Sequence, residues 1–325
     1  MKKNAINKSS KINVFVIVLF IALIVYSALM IGLMLWGFNT SLKHRMDFDI
    51  HNNVLGLPDL KWLSEQGKGI QWGLFDNYIT VIENLELKGL QESYYTMFSD
   101  EPIVHKASPR FWELFYNTIV YVVVGAFITT IVPCICGYMC AKYRYKISDF
   151  IHSMCLVIMI IPIVGAQASE LKVLKDLGLF DTLWGNAIQK LNFTGLYFFV
   201  FYAFFEGVPD AYQEAAEVDG ASQLRVLVTI MLPLAIKMIG TVFLLKVVFF
   251  WNDYQTMLLY LPTRPTFAYA VYDLANNNNY GSSTGMGHTT VRLAGSLFLI
   301  FPMLILFVIA KDKLMGNVSM GGLKG

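Results

Sequence analysis

Pro209-Asp210-Ala211-Tyr212-Gln213-Glu214-Ala215-Ala216-Glu217-Val218-Asp219-Gly220-Ala221-Ser222, running on to Ile230-Met231-Leu232-Pro233, decides the fold, because it is a polar, alanine-faced stretch set between strongly apolar runs. Asp210 is placed to cap a short helix, with Gln213 three residues on as in a capping box, and Gly220 to end it in the left-handed conformation. Ser222 then caps a second short helix that leads to Pro233. In the first helix Asp210, Glu214 and Glu217 share one face by i, i+4 and i, i+3 spacing, whereas Ala211, Ala215 and Val218 lie on another. The stretch is too short to be stable alone in water. Two readings follow: an outside surface that approaches the alanines and meets the carboxylates with basic groups, or a solvated hairpin tying two apolar segments together.

The apolar runs around it define the solvent. With 56% hydrophobic and 15% charged residues, the chain is too apolar for an ordinary soluble domain and belongs in a bilayer. Runs near 14–38, 117–140, 148–168, 185–206, 234–260 and 291–310 are each long enough to cross about 30 Å of hydrocarbon as a helix. The fourth is interrupted by Asn186, Gln189, Lys190, Asn192 and Thr194. Pro133, Pro162 and Pro302 fall inside spans, where each removes a backbone donor and favours a kink. The expected fold is an all-α integral membrane protein of six transmembrane helices.

Positive charge orients it. Lys2, Lys3, Lys8 and Lys11 precede the first span, Lys142, Arg144 and Lys146 lie between the second and third, and Lys311 and Lys313 follow the last. The positive-inside bias puts both termini, and 207–233, in the cytoplasm. The first apolar run is too long for a signal h-region and reads as a retained helix. Residues 1–38 then form the inner terminus and first span, 39–116 an extracytoplasmic cap, 117–310 the membrane core and 311–325 a cytoplasmic tail. Trp62, Trp72, Phe75, Tyr78, Tyr94, Tyr95 and Phe98 are the expected modest core of the cap.

Several chemistries have no footprint. Cys134, Cys136, Cys140 and Cys155 lie in apolar stretches and read as reduced thiols. The five histidines are dispersed without a His-Glu-x-x-His or Cys-x-x-Cys pattern, so no metal site is expected. A net charge of +2 without a basic stripe offers nothing to nucleic acid. Neither a Gly-x4-Gly-Lys-Ser/Thr phosphate loop nor a Gly-x-Ser-x-Gly elbow occurs.

From Glu214 to Pro233 the sequence reads Glu-Ala-Ala-x3-Gly-x9-Ile-x-Leu-Pro, and this resembles the signature loop of binding-protein-dependent ABC importer permeases, with Glu214, Ala215, Ala216, Gly220, Ile230, Leu232 and Pro233 in its fixed places. The chain is similar in particular to the maltose-type second permease of carbohydrate importers. Thr40-Ser41-Leu42-Lys43, Leu57-Pro58, Asp76-Asn77-Tyr78, Asn117-Thr118, Leu177-Gly178-Leu179 with Thr182, Trp251-Asn252-Asp253-Tyr254 and the glycine-rich tail Gly321–Gly325 carry that likeness. It implies that 207–233 is a coupling helix docking into an ATPase groove, with Asp210, Glu214, Ala215, Ala216, Asp219, Gly220, Ile230, Leu232 and Pro233 as its residues. It further implies a homologous permease partner, two ATPase subunits, an extracytoplasmic solute-binding protein, no cofactor on this chain, and ATP with magnesium on the ATPase. The outer loop departs from the pattern by roughly 25 additional residues around Leu85–Ser108.

For the solute, helical rise places Lys246 near mid-membrane, where a lysine costs about 2.5–3.5 kcal/mol on insertion scales unless it faces a cavity or a partner. Contact with an acid of the heteromer is one explanation, attraction of an anionic sugar another. Phe250, Trp251, Asn252, Asp253 and Tyr254 have the aromatic and amide or carboxylate character that suits sugars. The bland reading of Trp251 and Tyr254 is an interfacial belt, and of Asn252 a helix-packing contact. The competing classes are a secondary transporter, which should show repeats and paired intramembrane acids, a permease for a non-sugar solute, and a membrane enzyme or sensor.

Overall fold

The computed structural model describes residues 14–59, 73–143, 145–161, 165–277 and 285–318. Lys2, Lys3, Lys8, Lys11, Trp62, Trp72, Arg144, Pro162 and the Gly321–Gly325 tail lie outside the described residues, as does the Lys313 side chain. Helix α1 (Val14–Ser41) is apolar on every face and almost wholly uncovered, which suits a helix solvated by lipid. Short α2 (Arg45–Asp49) and α3 (Asp76–Asn84) follow, then strands β1 (Leu90–Thr96) and β2 (Ser99–Ala107). The core comprises α4 (Phe111–Lys142), α5 (Lys146–Ile160), α6 (Ala166–Asp176), α7 (Leu183–Gln189), α8 (Leu196–Glu206), α9 (Ala211–Val218), α10 (Gln223–Val226), α11 (Leu232–Trp251), α12 (Gln255–Tyr260), α13 (Phe267–Asn276) and α14 (Thr289–Val318).

Four continuous helical stretches among the described residues are long and apolar enough to cross a membrane: Phe15–Ser41, Phe111–Lys142, Gln223–Trp251 and Thr289–Lys311. Pro133 and Pro302 sit inside unbroken helices. The third and fourth sequence spans are not single helices. Helix α5 stops where Ile161 turns extended (φ −78°, ψ 118°), the conformation forced on a residue that precedes proline. Between α7 and α8, Asn192 Oδ1 accepts from both the amide and the hydroxyl of Thr194, at 2.8 and 2.6 Å, and Gly195 takes φ +124°. A side chain that competes for backbone donors, next to a glycine in a left-handed region, ends helical continuity. The fifth span likewise breaks after Trp251, where Asp253 accepts the Thr256 amide at 3.0 Å and turns the chain into α12.

Helix α4 organises the rest. Near its start Phe111 and Leu114 pack with Val81, Leu85, Phe267 and Leu274; midway Tyr121, Val122 and Ala126 pack with Phe250, Trp251 and Met257; near its end Cys134 and Tyr138 pack with Phe201, Phe205, Val226 and Met231. Its closest neighbours are α8 and α11. A Cβ at Gly137 would stand 2.9 Å from the Tyr202 backbone nitrogen and 3.1 Å from the Phe198 carbonyl oxygen, so α4 and α8 meet backbone to backbone. The cysteines are free, with Cys134, Cys140 and Cys155 buried.

Two expectations for the outer region are corrected. The chain is not all-helical: β1 and β2 form an antiparallel hairpin, Leu90 opposite Ala107, with an irregularity between Tyr94 and Thr96. It occupies the segment where the chain is longer than the pattern it resembles, and its Ser93-Tyr94-Tyr95-Thr96 and Ile103-Val104 runs have strand character. Of the aromatic residues expected to form the cap core, Tyr94 is buried and Tyr78 half-buried, but Phe75, Tyr95 and Phe98 are exposed. The hairpin instead docks sideways. Tyr94 Oη donates to the Phe180 carbonyl at 3.0 Å, the Met97 amide to the Asp176 carbonyl at 2.8 Å, and His105 Nδ1 lies 2.9 Å from the buried Asp181 carboxylate.

Gly137→Val should cost about 1–3 kcal/mol through overpacking and lower the thermal unfolding midpoint of the purified protein. Gly32→Val, at a site with nothing within 4 Å, should leave that midpoint in place.

Candidate functional site

The breaks in the fourth and fifth spans face one another across a cleft of about 450 Å³. Thr129 and Pro133 of α4, Glu170 of α6, Gln189, Lys190, Asn192, Thr194 and Tyr197 around the α7–α8 break, and Lys246, Phe250 and Thr256 line it. Pro133 has no N–H to give the Thr129 carbonyl. Thr129 Oγ1 donates instead to Gly125 O at 2.7 Å.

A relay of charged and polar groups lies behind one wall, reaching the cleft at Lys190. Tyr121 Oη donates to Asp253 Oδ2 at 2.6 Å and accepts from Lys190 Nζ at 3.1 Å. Asp253 also accepts the Thr256 hydroxyl at 2.6 Å, so its carboxylate is fully occupied. Lys190 Nζ lies 4.7 Å from the Tyr121 ring centroid and 4.4 Å from that of Phe250. The stem of this lysine passes over Gly125, where a Cβ would come within 3.2 Å of its Cε and 3.3 Å of the Phe250 ring. Glycine gives the side chain room there that a Cβ would narrow. Opposite, Lys246 Nζ sits 4.6 Å from the Tyr197 centroid and 5.8 Å from that of Phe249.

Of the pathway residues expected from sequence, Lys246 and Phe250 line the cleft, and Asp253 stands behind it in the relay. Trp251 is buried and donates from Nε1 to the Leu299 carbonyl at 3.0 Å. Asn252 bonds back to Val248 at 2.9 Å, and Tyr254 stacks on Tyr272 at 4.4 Å. None of those three lines the cleft. Sequence reasoning missed Lys190, Gln189, Asn192 and Thr194 as site residues, although they were visible as the polar interruption of a span.

The 207–233 hairpin stands at the other end of α4. Asp210 does not cap α9: it is helical (φ −65°, ψ −23°) and its side chain makes no cap hydrogen bond. Lys142, 3% exposed, holds it, with Nζ 2.6 Å from Asp210 Oδ1 and also bonded to the Val208 carbonyl. Gly220 takes φ +76°, and Ser222 Oγ accepts the Arg225 amide at 3.4 Å as expected. Ala216 is the buried residue of α9, packed in the cluster of Tyr138, Val226 and Met231. Ala211, Glu214, Ala215 and Asp219 are exposed, as are Val218 at 88% and Leu224 at 70%. Gln213 pins Glu217 at 3.0 Å. Leu227–Met231 is a π-helical turn immediately before Leu232 and Pro233, where the missing proline N–H disturbs the ladder. Ile230 and Leu232 pack against the same core cluster.

A third junction lies where the C-terminal end of α1, helix α3 and the N-terminal end of α14 meet, and it brings two sequence motifs together. Asn77 Nδ2 donates to the Ser41 and Lys43 carbonyls, both at 2.7 Å, and Ser41 Oγ is 2.7 Å from Tyr78 Oη. Lys43 donates to the Asn53 and Val54 carbonyls at 2.6 and 3.0 Å. Burial pulls its ammonium below the usual lysine range, with Asp47 opposing the shift. Asn117 and Thr118 lie inside α4 rather than at its start, and bind the Pro265 carbonyl and Phe267 amide.

The sequence profile of a family described as binding-protein-dependent transport system inner membrane component matches residues 134–311. The chain is 26% identical over 259 residues to the melibiose/raffinose/stachyose import permease protein MelC of Bacillus subtilis (strain 168), an alignment covering 76% of this chain and 90% of that protein. It is 25% identical to the polygalacturonan/rhamnogalacturonan transport system permease protein YtcP of the same organism, covering 65% of this chain and 80% of that one. Among solved structures, a chain of a bacterial ABC transporter involved in the import of the acidic polysaccharide alginate superposes with a TM-score of 0.67 at 20% identity, covering 92% and 95%. At that identity the likeness is one of fold.

Tyr121→Phe removes both the donor to Asp253 and the acceptor of Lys190, and should cost about 1–3 kcal/mol. A fall in the thermal midpoint of the purified protein, absent in a Tyr116→Phe control on the exposed face of α4, is the expected reading.

Proposed function

The chain belongs to the family of binding-protein-dependent transport system inner membrane components, and from that premise we propose that it is one permease subunit of an ATP-driven importer of saccharides. The reading pairs it with a homologous permease, two ATPase subunits and an extracytoplasmic solute-binding protein. ATP and magnesium belong to the ATPase and none to this chain. Six crossings of the inner membrane with both termini in the cytoplasm complete it, the third and fourth built from shorter helices packed on α4. The cap of 39–116 and its hairpin then face outward. Support for a saccharide comes from relatives whose substrates are named as saccharides, and from a cleft that combines aromatic faces with amide and hydroxyl groups. Family membership displaces the secondary-transporter alternative.

One observation carries the coupling role: the hairpin is anchored along Ala216 of α9 and at Lys142, yet leaves Glu214, Ala215 and Val218 of α9 and Leu224 of α10 uncovered. Such a surface suits a groove with apolar walls and a basic group opposite Glu214. Closure of the ATPase dimer would push the hairpin. The Lys142–Asp210 contact passes that push to α4, and the π turn of 227–231 passes it to α11. Both helices wall the cleft, so displacement at the cytoplasmic end alters its shape. Access then alternates between the two sides.

Glu214→Lys should leave the assembled complex hydrolysing ATP while uptake falls by at least about tenfold, since a repulsive charge across an interface costs 1.4 kcal/mol or more. Parallel ATPase and uptake assays in proteoliposomes measure this, and undiminished uptake would refute the coupling role.

A further inference from the structure

We infer, resting on the importer reading above, that the cleft is a subsite for a sugar bearing a carboxylate, with Lys246 as the group that meets the anion.

Two lysines and one carboxylate, Glu170, face the space, and with Asp253 behind Lys190 the four formal charges balance, so the distinction lies in how each one is held. Glu170 already accepts the Tyr260 hydroxyl at 2.9 Å, and Lys190 is tied through Tyr121 to Asp253. Lys246 has no such arrangement: among the described residues it makes no ion pair, and its Nζ rests on the Tyr197 and Phe249 rings. A ring face holds an ammonium in place without neutralising it. An ammonium in a low-dielectric wall, held by aromatics and lacking an anion, favours whatever mobile anion can reach it.

The surrounding groups narrow the anion to a sugar acid. An inorganic anion needs only donors, and a fatty acid only an apolar wall. This cleft interleaves the Tyr197 and Phe250 rings with Gln189, Asn192, Thr194 and Thr256, so ring faces alternate with groups that give and take hydrogen bonds from hydroxyls. Its volume of about 450 Å³ falls within the range of small-molecule sites. Lysine also suits transit better than arginine. A compact, monodentate point charge can release a carboxylate that a bidentate guanidinium would clamp, and a conducting site must let go.

The test is ATP-dependent uptake by proteoliposomes holding the assembled importer with its binding protein, at matched amounts of complex. The probes are trigalacturonate and its methyl ester, which share one skeleton and differ in charge. The acid should enter at least about tenfold faster than the ester. Lys246→Met should bring the acid down to the rate of the ester, and Lys246→Arg should keep the preference for acid over ester at a lower rate of uptake. Equal rates for acid and ester would overturn the inference. So would a Lys246→Met variant that slows a neutral saccharide as much as the acid, because Lys246 would then serve an acid of the second permease. An importer that takes up a neutral oligosaccharide and rejects trigalacturonate also overturns it while leaving the importer reading intact. Failure to take up any saccharide with ATP removes the importer reading itself.

Discussion

Inside hydrocarbon no water answers a free backbone N–H or C=O, so a chain can leave helical geometry at that depth only where its own side chains or a cavity receive the groups set free. This constraint places the cleft. At 192–195 the Asn192 carbonyl oxygen takes the Thr194 amide, and after Trp251 the Asp253 carboxylate takes the Thr256 amide. Each break therefore carries its own acceptor, and the polar side chains that satisfy the backbone are the ones that make the space between α4, α8 and α11 hydrophilic. A helical break and a solute site are one feature seen from the backbone and from the side chains.

Helix α4 meets the same constraint in the opposite way, by never breaking. It runs about 48 Å at 1.5 Å per residue, through three packed clusters, and admits its neighbours through glycine. Gly137 lets the α8 backbone lie against it, and Gly125 lets the Lys190 stem pass. Tyr121 and Lys142 are thereby held on one rigid element, one beside the cleft and the other under the 207–233 hairpin. Each makes a charge-assisted contact that crosses to another segment.

Much of this could be read from residues alone. The apolar runs located α1, α4, α11 and α14 closely because lipid leaves a long, unbroken signal. Gly220 and Ser222 behaved as local chemistry demands. Asp210 did not, since a capping argument is local and Lys142 lies 68 residues away in sequence. Lys246 stood out by its depth. Lys190 did not, because its polar neighbours look like an imperfect span until α4 and α11 are brought alongside. The hairpin of β1 and β2 showed itself only as surplus length, since its anchors, Phe180, Asp181 and Asp176, lie beyond α4.

Under the proposed coupling role, the two attachments of the 207–233 hairpin determine what a push on it can do. One is an ion pair with a buried lysine at the end of α4; the other is the covalent run through the π turn into α11. The π turn interrupts the regular helical ladder just before Pro233, whereas the Tyr138, Phe205 and Met231 packing beside it is dense. Under the proposed coupling role, load on α9 reaches α11 through 227–231. Phe250, Lys246 and Thr256 travel with α11 and α12, while Thr129, Pro133 and the Tyr121 hydroxyl stay with α4. The separation between those two sets is the width of the cleft, so under the proposed coupling role a shift of α11 against α4 is a change in the space beside Lys246.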